Sequence, residues 1–521
     1  MVIVYQGRFL AEGFRLLGHE VLPICFTNEA SANEQIEAVC AAPDLVVLEL
    51  AGGSALPLDL YACRHRIAAY YIDSCINEFW LEELSMVMDD VFVDQRSSVR
   101  TLASHGILAV WLPLCVSESD FRDPEQAKDY EITFIGRVDA HRTKRNNLLK
   151  YVSRHYPLHH IEGVSRGEMQ DIFARSKIVL NENLFSGLTL RVLHGLAAKA
   201  VVLTEAGGDG VDHYFTHDKQ LVCYSPDTLL SRIGAILKNY EEYEAIARHG
   251  HKVCRGGHTS KVRAKELLDH IKANTARTAR RHILQRQCAE ANAKYLLRLR
   301  FGGSFKESML LLNTVNQDQG NLGAKAAYLL GNAQARMNKP EKARHFYTLA
   351  AEKGCTFYAQ SKLALICLLE NKHQEAKIAL VAALTALPEK VAFFRAELDA
   401  LPGTDIQPQD IFFILAKAYA ALGHIFQAGF FKQITDNYPD TALELALLAW
   451  KKSPTSYVLD FLLEHAARCG VEGELLPELC FAIEHGVATD RQILHTAELA
   501  ESYYDKDLAH GILCAMRKSQ K

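Results

Sequence analysis

The sequence predicts two doubly wound α/β units in succession, followed by a stack of paired helices. Three observations predict this. Short β-rich runs alternate with amphipathic stretches through the first half. One polar stretch, near residue 120, interrupts that alternation. From about residue 228 the pattern is helical to the end, and part of it repeats at an interval near 34 residues.

In the first unit the strand candidates are VIVY (2–5), HEVLPIC (19–25), DLVVLEL (44–50), AAYYID (68–73), DVFVD (90–94) and LAVWLPL (108–114). Amphipathic stretches such as RFLAEGFRLLG (8–18) and SSVRTLASHG (97–106) lie between them. Strands separated by helices imply a parallel sheet with helices on both faces. The polar stretch SESDFRDPEQAKDYE (117–131) reads as a linker. A second series follows: ITFIGR (132–137), HHIEGV (159–164), KIVLNEN (177–183), AVVLTE (200–205) and QLVCYS (220–225). In such sheets a ligand sits outside the carboxyl ends of the strands, here facing across a cleft between two lobes.

The segment 228–271 supplies two or three helices that close the second lobe, and the basic stretch 276–300 bridges to the last domain. There, aligning Ser308, Ala343, Ala376 and Ala428 superposes FKES, PEKA, HQEA and IFQA. The first two intervals approach the tetratricopeptide period, and the third requires an insertion around 391–407. Leu330-Gly331, Tyr347, Ala350, Ala383, Pro388, Tyr419, Gly423 and Pro439 also fit that pattern. Small residues let paired helices cross closely, and proline ends a helix. An irregular α-solenoid of another type remains the alternative. The expected domains are therefore 1–118, 128–275 and 276–521.

Composition narrows the function. Apolar residues make up 49% and charged residues 23%, the balance of a globular chain. A net charge of -4 does not suggest a general nucleic-acid binder or a membrane-surface protein. No apolar run approaches the roughly 20 residues needed to span a bilayer. The N-terminus lacks a basic segment followed by a long apolar one, so no secretory leader is expected. The 13 cysteines are scattered singly without a CxxC pair, as expected of reduced thiols in the cytoplasm.

Two segments carry candidate chemistry. In FIGRVDAHRTKRNNLL, a strand ends at Gly136 and a turn with Arg137, Arg142, Lys144 and Arg145 opens a helix. Glycine permits close backbone approach, and helix amides with arginines can hold a diphosphate. A solvated basic turn would read the same. In KIVLNENLFSGLTLRVLHGLAAKAVVLTEAGGDG, a strand ends in Asn181-Glu182-Asn183. A loop with Ser186, Gly187 and Thr189 then starts a helix carrying Arg191 and His194. An anion could bind the amides near Gly187–Leu190. AGGDG (206–210) is a ligand loop or a plain turn. It lacks the GxGxxG spacing of a dinucleotide site. His159-His160 and the single histidines lack metal-ligand spacing.

The order FIGR…RNNLL…IEG…SKIVLN…GLTLR…GLA…VLT…HYF…LVCY…HTSKVRAKELL resembles the second lobe of the spore-maturation (CgeB-like) branch of group 1 glycosyltransferases, over roughly 128–271. Weaker echoes, LGHEV, YYID, DDVFVD and the LP at 112–113, run through the first lobe. The resemblance implies a GT-B fold of two Rossmann-like lobes, binding a nucleotide-sugar mainly through the second lobe and an acceptor against the first. Carried over, it puts Gly136 and Arg137 at the strand-end phosphate site and Arg145 at the opening of the next helix. Asn181, Gly187, Leu188 and Thr189 fall near sugar and diphosphate, Arg191 near the diphosphate and His194 near the ribose.

Two positions depart from the family pattern R-x-F-E-A-L-A-x-G. His194 replaces the glutamate and Lys199 the glycine. A histidine can bond a ribose hydroxyl but offers no bidentate carboxylate. In the first lobe, Asp73 is either the base toward an acceptor hydroxyl or a strand-end cap.

The expected function is transfer of a sugar from a nucleotide-sugar to a protein or glycan acceptor. No cofactor or metal is expected, since amides and basic side chains can stabilise the leaving diphosphate. The repeats would recruit the acceptor or a protein partner, in a bacterial setting of protein glycosylation. The alternative is a degenerate transferase serving as a protein-interaction scaffold.

Overall fold

The computed structural model describes residues 1–122, 127–139, 142–183, 187–274, 281–388, 406–426 and 438–519. The chain divides into two compact units: Met1–Arg280 with the short segment Glu501–Lys506, and the remainder from Arg281.

The first unit holds two parallel sheets. The first lobe contains β1 (Val2–Gln6), β2 (Glu20–Pro23), β3 (Leu45–Leu50), β4 (Ile67–Tyr71), β5 (Asp90–Val93) and β6 (Val110–Trp111), in the order β2-β1-β3-β4-β5-β6. Helices α1 (Ala11–Leu16), α2 (Ala32–Val39), α3 (Ser74–Ser85) and α4 (Arg96–Ser104) connect these strands. The second lobe contains β7 (Tyr130–Ile135), β8 (Leu158–Ile161), β9 (Ser176–Asn181), β10 (Val201–Glu205) and β11 (Val222–Tyr224), in the order β11-β10-β9-β7-β8. Its helices are α5 (Thr143–Ser153), α6 (Arg166–Ala174), α7 (Leu190–Ala197), α8 (Val211–Tyr214), α9 (Leu229–Lys238), α10 (Tyr240–Gly257) and α11 (Ser260–Ala273).

Every strand pair within the two sheets is parallel. Each β-rich run read from the sequence contains or overlaps a strand. The run at 108–114 is shortened to two paired residues, because Leu112 and Leu114 turn inward to the core. Helices α2 and α3 were not foreseen. The first starts at a capping box in which Ser31 accepts from the Glu34 amide, a local signal present in SANE.

In both sheets the strand order reverses beside the first strand of the lobe, between β1 and β3 and between β7 and β9. A parallel sheet opens a crevice at that reversal, because successive crossovers there leave to opposite faces. The lobes share one apolar core, running from Ile3, Tyr5 and Phe14 through Leu112, Leu114 and Val116 to Leu188, Val192 and Phe215. After the second lobe the chain returns to the first, with α11 packed on α1. The approach is so close that a Cβ on Gly13 would lie 2.1 Å from the Ser260 carbonyl oxygen. Arg263, buried on α11, donates from Nε to the Pro113 carbonyl at 3.0 Å and pins the return.

The second unit is helical throughout its described residues. Helix Ile283–Phe301 leads into Lys306–Val315, followed by the pairs Asn321–Arg336 with Pro340–Glu352 and Thr356–Leu369 with His373–Thr385. Ser308, Ala343 and Ala376, the residues aligned in sequence, are all buried near the start of the second helix of a pair. Asn338 and Asn371 occupy equivalent turns in the left-handed conformation. Gly331 meets Tyr347 across a pair, where an added Cβ would lie 2.6 Å from the ring.

Further helices span Pro408–Ala421, Ala442–Lys452, Ser456–Arg468, Leu476–Glu484, Asp490–Ser502 and Lys506–Ser519. Ala428 and almost all of the insertion expected at 391–407 lie outside the described residues. A buried ion cluster fastens the region after them: Arg336 and Lys362 meet Asp440 at 2.7 and 2.6 Å. Despite burial, those two cations hold the Asp440 carboxyl below its usual range. A shallow recess of about 390 Å³ lies among Asn321, Lys325, Cys355, Phe357, Tyr358 and Leu422.

Candidate functional site

The β7/β9 reversal gathers most of the residues singled out in the second lobe. Strand β7 ends at Ile135, and Gly136 follows with φ of +159°. A Cβ at Gly136 would sit 2.4 Å from Nη2 of Arg191. The glycine is there to admit that guanidinium. Arg191 donates from Nε to the Ile135 carbonyl at 3.0 Å and from Nη1 to Asn181 Oδ1 at 2.9 Å. Its guanidinium carbon lies 4.0 Å from the centre of the Phe134 ring.

Among the described residues no carboxylate pairs with Arg191. Burial, then the neighbouring charge of Arg145, lowers its pKa to about 9. It remains a cation at neutral pH, in surroundings that already hold positive charge. A half-buried cation hydrogen-bonded only to neutral partners, which Arg145 repels more than Glu182 attracts, favours an anionic ligand.

The adjacent cations differ in how they are used. Arg145 is buried and committed inward, from Nε to Glu182 Oε2 at 2.6 Å and from Nη1 to the Arg137 carbonyl at 2.9 Å. It clamps the β7 turn to the end of β9, a positioning task. Lys144 pairs with Glu205 at 2.6 Å, at the end of β10. Arg137 and Arg142 share Asp139, each at 3.5 Å, and the Arg137 side chain is 77% exposed. It is thus the cation best able to swing toward a ligand. Lys144, Glu182 and Glu205 complete the charge balance.

Asn181 is fully buried and its amide is saturated. Its Nδ2 donates to Thr204 Oγ1 at 2.9 Å and Asn183 Oδ1 at 3.1 Å, while its Oδ1 accepts from Thr189 Oγ1 and from Arg191. It orients its neighbours and has no spare donor. The Thr189 hydroxyl donates to Asn181, and no side chain caps the start of α7. The first-turn amides of α7 therefore stand at the helix's positive end beside Arg191. Leu188 buries its side chain in the core, leaving only its backbone to the loop. Ser186 lies outside the described residues.

His194 differs from its expected place beside a ribose. Its ring is buried against the Gln170 amide of α6, with Asp120 at 4.0 Å, and burial lowers its pKa to about 4. It is a neutral packing residue on the side of α7 that faces α6. Lys199 takes φ of +52°, a left-handed conformation that suits a glycine and strains a lysine.

The first lobe contributes Asp73, at the end of β4. It also adopts a left-handed conformation, φ +52°. Buried Asp94, just past β5, holds it there by accepting the amides of Asp73 and Ser74 at 2.8 and 2.9 Å and the Ser74 hydroxyl at 2.7 Å. The Asp73 side chain is exposed to solvent yet recessed in protein. Desolvation raises its pKa, opposed by Arg142 of the second lobe and Arg8 of the first. Burial also pushes Asp94 up, to about 6. Asp94 and its neighbour Gln95 were missed in the sequence, although DVFVD had marked the strand that carries them. Among the described residues no group of three or more His, Cys, Asp or Glu forms a metal-binding arrangement, and no helix is long and apolar enough to cross a membrane.

Residues 123–269 match a family model described as glycosyl transferase-like. None of the curated proteins compared matches the sequence. Similar solved structures include sucrose-phosphate synthase from Thermosynechococcus elongatus, at 10% identity over 53% of this chain and 99% of that one, TM-score 0.39. HepE of Anabaena in complex with UDP-glucose is 9% identical over 52% of this chain and 100% of that one, TM-score 0.40. A glycosyltransferase from Rickettsia africae is 12% identical over 53% of this chain and 99% of that one, TM-score 0.39.

Proposed function

We propose that this chain transfers a sugar from a nucleoside-diphosphate sugar to a hydroxyl of a protein or glycan acceptor. The observation that carries the proposal is Arg191, a half-buried cation without a carboxylate partner among the described residues, set at the strand-order reversal beside the uncapped start of α7. The glycosyl transferase-like match over the same lobe supports it.

In this reading the diphosphate lies across Gly136, the amides at the start of α7 and the guanidinium of Arg191, with Arg137 closing from outside. Asp73 faces it from the first lobe. The bond from the anomeric carbon to the diphosphate oxygen breaks with its electron pair, and Arg191 and the amides stabilise the charge that develops. The acceptor oxygen forms the new bond to that carbon, and its proton passes to the Asp73 carboxylate. The products are the glycosylated acceptor and the free nucleoside diphosphate. No protein group here requires a metal to complete the step.

The helical unit is read as a tetratricopeptide-like array that recruits the acceptor or a partner, with the recess around Lys325 and Tyr358 as its candidate contact. One feature favours the alternative of a non-catalytic scaffold: His194 stands where the related family has a glutamate. The test is release of nucleoside diphosphate when the full chain meets UDP-, GDP- and dTDP-sugars, or of CMP when it meets CMP-sugars. Turnover of one of them, lost in Asp73→Asn, supports the proposal. Nucleotide binding with no turnover under any acceptor tried, or no binding at all, favours the scaffold.

A further inference from the structure

Gln95 makes no contact that the transfer chemistry requires, yet it stands where the two lobes meet. Its side chain is almost wholly buried. From Nε2 it donates to Asp94 Oδ2 at 3.1 Å and, across the cleft, to the Leu188 carbonyl at 3.3 Å. Gly187 packs so closely on it that an added Cβ would lie 2.4 Å from Gln95 Oε1. Its own amide donates to the Ser74 hydroxyl at 3.3 Å.

Both ends of this contact are positioned for a reason. Asp94 holds Asp73 in a conformation that an aspartate adopts at a cost. The Leu188 carbonyl belongs to the short loop whose next residue, Thr189, bonds Asn181, which in turn orients Arg191. A run of hydrogen bonds, continued through the Leu188–Thr189 peptide bond, therefore joins Asp73 to Arg191 through Asp94, Gln95, Leu188, Thr189 and Asn181.

We propose that Gln95 is the positioning residue that couples the nucleotide loop at 187–189 to the Asp73 carboxylate. The coupling readies the base only when the loop is set for the donor. The inference rests on the transferase reading of the site. Gln95 itself touches neither substrate. An amide suits the task because one NH₂ group serves two acceptors, which neither a carboxylate nor an aliphatic chain can do.

The test uses the full chain with Gln95→Ala and Gln95→Glu, the second keeping length while replacing the donor by an acceptor. Nucleoside diphosphate affinity is expected to stay within about threefold of wild type, while turnover of the nucleotide-sugar falls at least tenfold, more in Gln95→Glu. Wild-type turnover in both variants, or a matching loss of nucleotide affinity, would each overturn the proposal.

Amide hydrogen exchange on the ligand-free protein gives a second readout that needs no activity. Protection of the Asp73 and Ser74 amides should fall at least tenfold in both variants. Unchanged protection would overturn the link, even where the wild type turns over no nucleotide-sugar and the transferase reading has failed separately.

Discussion

Replacing Arg191 by alanine separates its contribution to ligand binding from its contribution to folding. Its hydrogen bonds to Ile135 and Asn181 go to neutral oxygens, and Arg145 and Arg142 repel it while Glu182 attracts it. Losing it therefore removes two hydrogen bonds and a contact with Phe134, but also removes repulsion. Those terms oppose one another, so stability in urea is expected to change by no more than about 1 kcal/mol. Nucleotide binding has no such compensation. A charged hydrogen bond to a phosphate contributes about 1.5–3 kcal/mol, so affinity should fall by roughly one to two orders of magnitude.

Gly136→Ala offers an independent route to the same loss, since its Cβ would lie 2.4 Å from Nη2 and push the guanidinium aside. Titration calorimetry of both variants with the nucleoside diphosphate that binds wild type measures the effect. Folded variants binding within twofold of wild type would refute the placement of Arg191 on the diphosphate.

Other substitutions test the surrounding claims. Asp73→Gly relieves a left-handed aspartate, so it should abolish turnover while stabilising the fold by up to about 1 kcal/mol in urea; retained turnover would remove Asp73 from the chemistry. Lys199→Gly should likewise raise stability by about 0.5–1 kcal/mol without altering nucleotide affinity, and a loss of stability would contradict the strain argument. For His194, the folded pKa of about 4 lies below the free value of 6.5, so the unfolded chain takes up a proton first on acidification. The stability this ring contributes is present above about pH 6.5 and lost as pH falls toward 4. The advantage of wild type over His194→Gln should therefore shrink by about 3 kcal/mol between pH 7 and pH 4, measured by urea unfolding; a constant difference would place the ring in solvent. In the helical unit, Gly331→Ala should cost about 1–3 kcal/mol through its clash with Tyr347, and a neutral result would mean the helix pair is looser than described.

Much of the first unit was legible because buried parallel strands announce themselves as β-rich runs that polar turns separate. The same rule located Gly136, Asn181 and Arg191, since strand ends point at the crevice. What stayed hidden depended on contacts between distant elements. Asp94 looked like the end of a strand, and only the neighbouring β4 turn gives its carboxylate two amides to hold. Arg145 and Arg137 read as one basic turn, yet the first turns inward to Glu182 and the second outward. The resemblance puts His194 near a ribose because it stands at the family's glutamate position, yet it lies about 60° around α7 from Arg191 and its ring is buried against Gln170 of α6. In the helical unit the aligned small residues were readable from spacing, whereas the Arg336–Asp440–Lys362 cluster joins segments far apart in sequence, Arg336 and Asp440 by 104 residues.

The central claim is that the β7/β9 crevice of the second lobe is a working nucleotide site. Thermal unfolding of the full chain against UDP, GDP, dTDP and CMP, each with its common sugars, tests it most directly. A nucleotide at a hundred times its dissociation constant should stabilise the folded protein by about 2.7 kcal/mol, with the effect lost in Arg191→Ala. A folded protein that none of these ligands stabilises would contradict the account.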